Sequence, residues 1–376
     1  MDFDQINKLE EGQILCCCEY FNSRGQRSHL LEALCDCQIL DDICEGFIHC
    51  KWAGKDQFLQ LLEVLHDRIR IPWLDGRGAR RFPLSTILPM IILPCMLKVA
   101  SSGFYTTVGM ITSLFPLMMF IYYSAIISGR KRTPFFLSWT LTSILGMLFA
   151  YLRYITPNCS LDKTAEVSLG LVMTLIIFIL CLRNPGRIKP KRKGAKLGNY
   201  VDHNNQDTYD NNLLKVCQEC HVQMPRRSHH CGICHKCVKH FDHHCVWINN
   251  CVGQGNRRLF VLLLLVFLYT ASRGIYFSLD TVCVWDKMLP NCQYAYEEDW
   301  SAIVMASVIY SCVATTSVGS LLCYQILLIS TNVTSYEWRC ARRIGHYLDK
   351  FGQPTKENIY DLGLIKNWIA FFKGYK

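Results

Sequence analysis

The sequence predicts an α-helical polytopic membrane protein of about six transmembrane helices, with a small loop-rich Cys/His domain on its cytoplasmic side. Three observations predict it. Six apolar stretches, at about 84–100, 104–128, 135–152, 167–182, 259–279 and 301–330, divide a chain of 376 residues. Basic clusters recur in every second gap between them. The gap between the fourth and fifth stretches holds seven of the 22 cysteines, at metal-ligand spacing.

A helix rises about 1.5 Å per residue, so roughly 20 apolar residues cross a hydrocarbon core of about 30 Å. The second, fifth and sixth stretches meet that length. The first, third and fourth are shorter and lean on Ser, Thr and flanking aromatics. Ser101-Ser102-Gly103 joins the first two into a tight helical hairpin. Six such stretches, in a chain 51% hydrophobic, argue against a soluble protein with buried core helices. Residues 1–20 carry early acids and no long apolar run, so no cleavable signal peptide is expected and the first span acts as its own signal.

The net charge of +10 is concentrated. Arg68, Arg70, Arg77, Arg80 and Arg81 precede span one; Arg130, Lys131 and Arg132 lie between spans two and three; Arg183, Arg187, Lys189, Lys191, Arg192, Lys193 and Lys196 follow span four. The loops at 153–166 and 280–300 are neutral to acidic. The positive-inside rule then sets both termini and the Cys/His domain in the cytoplasm. The basic run at 187–196 abuts a span, so it reads as a stop-transfer flank or a contact for anionic lipid, with no nucleic-acid partner expected.

The expected organisation is a cytoplasmic Cys-rich region at 1–82, transmembrane helices one to four at 83–183, a polar linker at 184–212, the Cys/His domain at 213–256, helices five and six at 257–330, and a cytoplasmic C-terminal region at 331–376. Cys16, Cys17, Cys18, Cys35, Cys37, Cys44 and Cys50, with His29 and His49 nearby, follow no tidy zinc spacing. They can be ordinary thiols, S-acylated anchors or a metal site. Cytoplasmic thiols stay reduced, whereas Cys283 and Cys292 fall in a lumenal loop and can pair. Asn158-Cys159-Ser160 is a lumenal sequon, and Asn332-Val333-Thr334 a cytoplasmic, unused one. Trp338–Lys350 can form a basic amphipathic surface helix, and the aromatics of 358–376 suggest docking onto membrane or enzyme.

Structural zinc takes four Cys/His ligands in a tetrahedron, often from C-x2-C knuckles. Eight ligands divide into two interleaved Cys3His sites: Cys217, Cys220, His230 and Cys237; Cys231, Cys234, His244 and Cys251. Spacing alone also permits a sequential partition. A segment with so little apolar core needs metal to hold a fold, so two structural Zn2+ are expected. His229, His235 and His240 are left over, and His229, beside Arg226-Arg227, can help hold a phosphate or CoA.

One cysteine of the array remains after ligand assignment. Cys245 stands three residues after Asp242 and two after His243. A free thiol near pKa 8.5 is mostly protonated at neutral pH. A histidine can take its proton, and a carboxylate can orient that histidine and stabilise its imidazolium. Asp242, His243 and Cys245 supply these roles in one loop. Span five begins about 15 residues later, so the thiol is expected at the membrane surface, where an acyl chain can lie among the spans.

At Asp242-His243-His244-Cys245 the chain resembles the DHHC-type protein S-acyltransferases, or palmitoyltransferases, over roughly 84–372. The resemblance implies two structural zinc ions, acyl-CoA as co-substrate, and a two-step transfer of a palmitoyl-type group from palmitoyl-CoA to cysteines of cytoplasm-facing proteins near the bilayer. It implies Cys245 as nucleophile, His243 as general base, Asp242 as its orienter and His244 as a zinc ligand. Asn184-Pro185-Gly186 resembles the family's Asp-Pro-Gly, and Thr334-Ser335-Tyr336-Glu337 its Thr-Thr-x-Glu, with Ser in the second place. Asn367, within Asn358–Phe372, matches its C-terminal aromatic/Asn motif, and Trp247 and Phe260 match positions near the acyl chain. Arg227 and His229 are expected near CoA. Three features depart from the family pattern: Val246 replaces the usual Pro after the catalytic Cys, Met224 replaces a frequently basic residue, and six spans replace the usual four. The resemblance implies a Golgi or ER membrane, with the plasma membrane as a further option. The alternative reading is a catalytically inactive membrane zinc-finger scaffold.

Overall fold

The computed structural model describes residues 18–22, 25–30, 67, 70–72, 78–81, 83–123, 132–189, 215–286, 289–344, 347–348, 354–355 and 357–374. Most cysteines of the leader, Arg68, Arg77, Arg130, Lys131 and the linker beyond 189 lie outside these residues. The chain divides into two compact units, Met1–Leu88 and Pro89–Lys376.

In the first unit, β1 (Glu19–Phe21) pairs with β2 (Arg27–His29), and β3 (Arg70–Ile71) with β4 (Arg80–Arg81). Arg70 lies 4.0 Å over the buried ring of Tyr20 and donates to Phe21 O and Asp67 Oδ1. Among the leader cysteines only Cys18 is described, and it is half-buried.

Helix α1 (Leu84–Ala100) leads into the second unit. The others follow as α2 (Phe104–Tyr122), α3 (Phe135–Ala150), α4 (Leu161–Cys181), α5 (Arg257–Val282), α6 (Asp299–Ser330), α7 (Ser335–Ile344) and α8 (Leu364–Lys373). A π turn and a short 3-10 turn extend α3 to Asn158. Among the described residues five helices, α2 to α6, are long and apolar enough to cross a membrane. Six spans were expected. The sixth apolar helix, α1, has 17 residues with Pro89 and Pro94 inside, and it stops at the Ser101-Ser102-Gly103 turn. At about 1.5 Å per residue this is roughly 25 Å, the lower end of a spanning length.

Helix α4 begins at Leu161, six residues before its apolar run at 167. Its early charges are paired rather than excluded. Glu166 accepts from Arg273 of α5 at 2.6 and 3.0 Å and from Tyr269 at 2.7 Å. Lys163 lies 3.1 Å from Asp280. Helices α4 and α5 approach tightly at Gly170, where a Cβ would come within 2.5 Å of Thr270 Oγ1. Many large apolar side chains of α2 to α6 stay exposed, among them Phe115, Phe120, Phe149, Leu169 and Leu265, as faces meeting lipid do.

Beyond α5, β11 (Val284–Asp286) and β12 (Leu289–Asn291) form a hairpin closed by the expected Cys283–Cys292 disulfide. At the other end of α5 sits the Cys/His domain, three two-stranded hairpins: β5 (Lys215–Val216) with β6 (Gln223–Met224), β7 (His229–Cys231) with β8 (Lys236–Val238), and β9 (His243–Cys245) with β10 (Asn250–Val252).

Asn184-Pro185-Gly186 fastens this domain to the exit of α4. Asn184 Oδ1 accepts from the N–H of Gly186 and Arg187. Pro185 O then accepts from Gly255 N, and Gly186 O from Lys239 N. A Cβ on Gly253 would fall 2.8 Å from Pro185 O, so this approach needs glycine. From the domain's side, Asn256 Nδ2 donates to the last carbonyl of α4, on Cys181, at 3.0 Å. Asn250 Nδ2 donates to Leu182 O and Arg183 O.

Candidate active site and metal centres

The two C-x2-C knuckles fold alike because ligand spacing imposes the same turn. Cys217 O accepts from His221 N, and Cys231 O from His235 N. His221 and His235 take left-handed backbone angles, φ 51° and 50°. This accounts for the leftover His235 as a turn residue.

Each knuckle meets a histidine from the first strand of the next hairpin and a cysteine further on. Cys217, Cys220, His230 and Cys237 converge in one group, and Cys231, Cys234, His244 and Cys251 in another, with all ligand atoms of a group within 4.8 Å of each other. The interleaved partition is the one the fold brings together. His230 Nδ1 lies 3.5, 3.3 and 3.8 Å from the sulfurs of Cys217, Cys220 and Cys237. His244 Nδ1 lies 3.8, 3.3 and 3.8 Å from those of Cys231, Cys234 and Cys251. Zn–S near 2.3 Å and Zn–N near 2.0 Å give a tetrahedral S···N edge of about 3.5 Å, so both groups fit a zinc ion. Glu219 Oε2 lies 2.7 Å from His230 Nε2, the carboxylate partner that orients metal-bound imidazoles.

The β9–β10 hairpin carries a ligand histidine and the proposed triad on consecutive residues. Because strand side chains alternate, His244 points to one face while His243 and Cys245 point to the other. His243 Nδ1 donates to Asp242 Oδ2 at 2.7 Å. Asp242 is fully buried and is held from three further elements. Ser335 donates through its N–H at 2.9 Å and its hydroxyl at 2.8 Å. Gln325 Nε2 of α6 donates at 3.2 Å, and Arg257 Nη2 of α5 lies at 3.3 Å. Burial disfavours the carboxylate, yet Arg257 and these hydrogen bonds outweigh it, so Asp242 titrates well below the usual carboxylate range.

Burial also pushes the His243 imidazolium down, but hydrogen bonds to Asp242 and Cys245 carry the ring up to about 9. Burial pushes the Cys245 thiol up; the hydrogen bond and charge of His243, with the N–H groups of Ile248 and Trp247, more than offset it and leave the thiol lowered. Cys245 sits in an apolar cluster with Ile177, Phe178, Cys181, Ile248 and Phe260. The Phe260 ring meets His243 edge-on at 5.5 Å, and Trp247, 42% exposed, meets Phe136 of α3 at 5.1 Å. A lowered thiol beside an oriented imidazole, facing apolar side chains, is chemically equipped to carry an acyl group.

Thr334 and Glu337 begin α7 with reciprocal bonds: Thr334 N donates to Glu337 Oε2 at 2.8 Å, and Glu337 N to Thr334 Oγ1 at 3.2 Å. This capping box starts the helix at Ser335, earlier than the expected Trp338. Arg227, expected at a CoA phosphate, is turned inward. It pairs with both Glu337 oxygens at 2.7 and 2.6 Å, donates to Asn332 Oδ1 and O, and lies 4.4 Å over Tyr360. His229 stacks on Tyr336 at 3.9 Å. Asn332 is thereby buried. Asn367 is fully buried beneath α6: it donates to Ser330 O and Asp361 Oδ1 and accepts from Leu362 N. Trp368 reaches Ser330 Oγ, and Phe371 enters the cluster around Cys245.

Sequence reasoning missed Arg257, Gln325 and Ser335 as partners of Asp242. A lone amide in an apolar span was the available signal for Gln325. Ser335 lay inside a motif already singled out. Arg257, just before the fifth apolar stretch, carries no local signal that sets it apart from a basic flank.

Residues 210–341 match the family model of the DHHC palmitoyltransferase. Palmitoyltransferase ZDHHC23 of Mus musculus is 32% identical over 407 residues, covering 97% of this chain and 95% of that one. Palmitoyltransferase ZDHHC23 of Homo sapiens is 33% identical over 381 residues, covering 89% and 92%. Probable protein S-acyltransferase 15 of Arabidopsis thaliana is 30% identical over 224 residues, covering 58% and 84%. With such similarity along nearly its whole length, and both metal-ligand groups assembled, the chain belongs to the DHHC palmitoyltransferase family.

Proposed function

We propose that the chain moves a palmitoyl-type acyl group from acyl-CoA to cysteine thiols of cytoplasm-facing membrane proteins, through a thioester at Cys245. The observation that carries this reading is the Asp242–His243–Cys245 relay opening onto apolar side chains. His243 Nε2, free of the Asp242 bond at Nδ1, takes the Cys245 proton. The sulfur attacks the thioester carbonyl carbon; the new C–S bond forms as the bond to CoA sulfur breaks, and the departing thiolate takes the proton from His243. A substrate thiol then repeats the sequence in reverse, giving its proton to His243 and releasing Cys245. Zinc, held by the two Cys3His groups, supplies structure to the hairpins.

Trp247 and Phe260 lie where an acyl chain leaving Cys245 would pass. The donors of Arg227 are committed to Glu337 and Asn332, so phosphate recognition is assigned to exposed Arg226 and to His229, with Arg227 fixing their hairpin. The basic flanks support a cytoplasmic zinc domain and termini, and the family resemblance supports a Golgi or ER bilayer. The test is intact-protein mass spectrometry with palmitoyl-CoA. A hydroxylamine-labile acyl adduct at Cys245, absent from Cys245→Ser with its zinc retained, is expected. Adduct formation undiminished in Cys245→Ser would refute the assignment.

A further inference from the structure

The turn after Cys245 is gripped from outside the Cys/His domain. Arg132, in the segment leading into α3, donates Nε to Asn249 Oδ1 at 3.0 Å and Nη2 to Asn249 O at 2.6 Å. Asn249 is 8% exposed and left-handed, with φ 44°, and its N–H closes the turn onto Val246 O at 3.0 Å. Asn accepts that conformation more readily than most residues, and here Arg132 holds both its side-chain and its main-chain oxygen. The flank of the same turn rests on α3, through the Phe136 ring against Trp247 and through Thr140 Oγ1, which donates to Trp247 O at 3.4 Å. The turn joins Cys245, the last residue of β9, to its strand partner Asn250, the first of β10, so it closes the hairpin directly at the Cys245 position. Whatever fixes Asn249 therefore fixes the turn that starts directly after Cys245.

The residue opening the turn is Val246. A proline there would lock its own φ, whereas valine leaves that torsion to its surroundings. Val246 packs against the apolar cluster of α1 to α3 but has no covalent restraint of this kind. Arg132 supplies a restraint at the opposite corner of the turn, with a planar fork that takes both oxygens of one residue.

We propose that Arg132 is a positioning residue for acyl transfer, holding the Val246–Asn249 turn so that Cys245, where the turn begins, keeps its place beside His243. This rests on the reading of Cys245 as the acyl carrier. Its grip is made through Asn249 and touches no reacting atom, so it acts on the rate of acyl transfer and not on acyl-CoA affinity.

The experiment measures single-turnover acylation of the full-length, detergent-solubilised chain by palmitoyl-CoA, across a concentration series, with zinc content determined in parallel. Arg132→Ala is expected to keep its zinc and its half-saturating palmitoyl-CoA concentration within about twofold while the maximal rate falls about tenfold, the effect of losing a charge-assisted hydrogen-bond pair. Arg132→Lys, with one compact donor group, falls between. Adding Val246→Pro to Arg132→Ala restores much of the rate, because the turn regains stiffness from within. A maximal rate in Arg132→Ala equal to wild type overturns the inference alone. So does loss of zinc with loss of rate in both Arg132→Ala and Arg132→Lys, which would make Arg132 a folding residue. Absence of a Cys245 adduct in the wild-type chain overturns the acyl-carrier reading and this inference with it.

Discussion

Arg257, the first residue of α5, lies 3.3 Å from the Asp242 carboxylate, and the two are 2% and 0% exposed. A membrane helix thus begins with a buried cation aimed at the carboxylate that holds His243. The same arginine donates to Val333 O at 3.2 Å, so it ties the Cys/His domain, α5 and the segment after α6 at one point.

Removing it strands a buried negative charge. Breaking one partner of a buried pair costs about 3–5 kcal/mol, because the other charge is left uncompensated. Arg257→Met is expected to lower the thermal stability of the solubilised protein strongly and to abolish acyl-adduct formation. A melting temperature and adduct yield equal to wild type would show that Ser335 and Gln325 suffice for Asp242.

Zinc content gives a second check. The two ligand groups share no residue, so Cys237→Ser should remove the ion of its own group first. Elemental analysis of purified protein is expected to give about two zinc ions for wild type and about one for this variant, since a closed structural site needs all four ligands. A sequential partition would instead disturb the knuckle pairing differently: Cys231→Ser and Cys220→Ser would deplete one common ion.

The α8 helix makes a prediction about stability apart from chemistry. Asn367 satisfies Ser330 O, Asp361 and Leu362 N while fully buried. Asn367→Ala leaves those groups without it, at about 1–3 kcal/mol for each buried group left unmet. Unfolding should begin at lower temperature with zinc stoichiometry unchanged. Concurrent zinc loss would mean that α8 also supports the hairpins.

Glu337 couples α7 to the zinc domain through Arg227, with side chains 18% and 8% exposed. Glu337→Gln keeps the shape and removes the charge. It is expected to destabilise the protein by on the order of 2–4 kcal/mol while the half-saturating palmitoyl-CoA concentration stays near wild type. A large rise in that concentration at normal stability would return Arg227 to a direct role at CoA.

The disulfide reports on sidedness. Cys283 and Cys292 close the hairpin beyond α5, at the opposite end of that helix from the Cys/His domain. In sealed vesicles with the cytoplasmic face outward, a membrane-impermeant maleimide should leave both residues unlabelled after reduction until the vesicles are opened. Labelling of intact vesicles would reverse the proposed orientation.

Much of this protein is determined within a few residues of sequence. Apolar length alone places the helices, because crossing lipid requires every backbone group to be satisfied within the segment. The C-x2-C knuckles and the Asp242-His243-His244-Cys245 run declare their chemistry because each ligand or relay partner is a near neighbour. The tertiary structure decided what spacing could not. It chose the interleaved metal partition over the sequential one, since hairpin pairing carries His230 past Cys237 and His244 past Cys251. It started α4 early, because Arg273 on another helix compensates Glu166. It turned Arg227 toward Glu337, 110 residues away, and brought Ser335, 93 residues away, to Asp242. Periodicity and motif report on neighbours along the chain, whereas a buried charge takes its partners from whichever elements packing brings beside it.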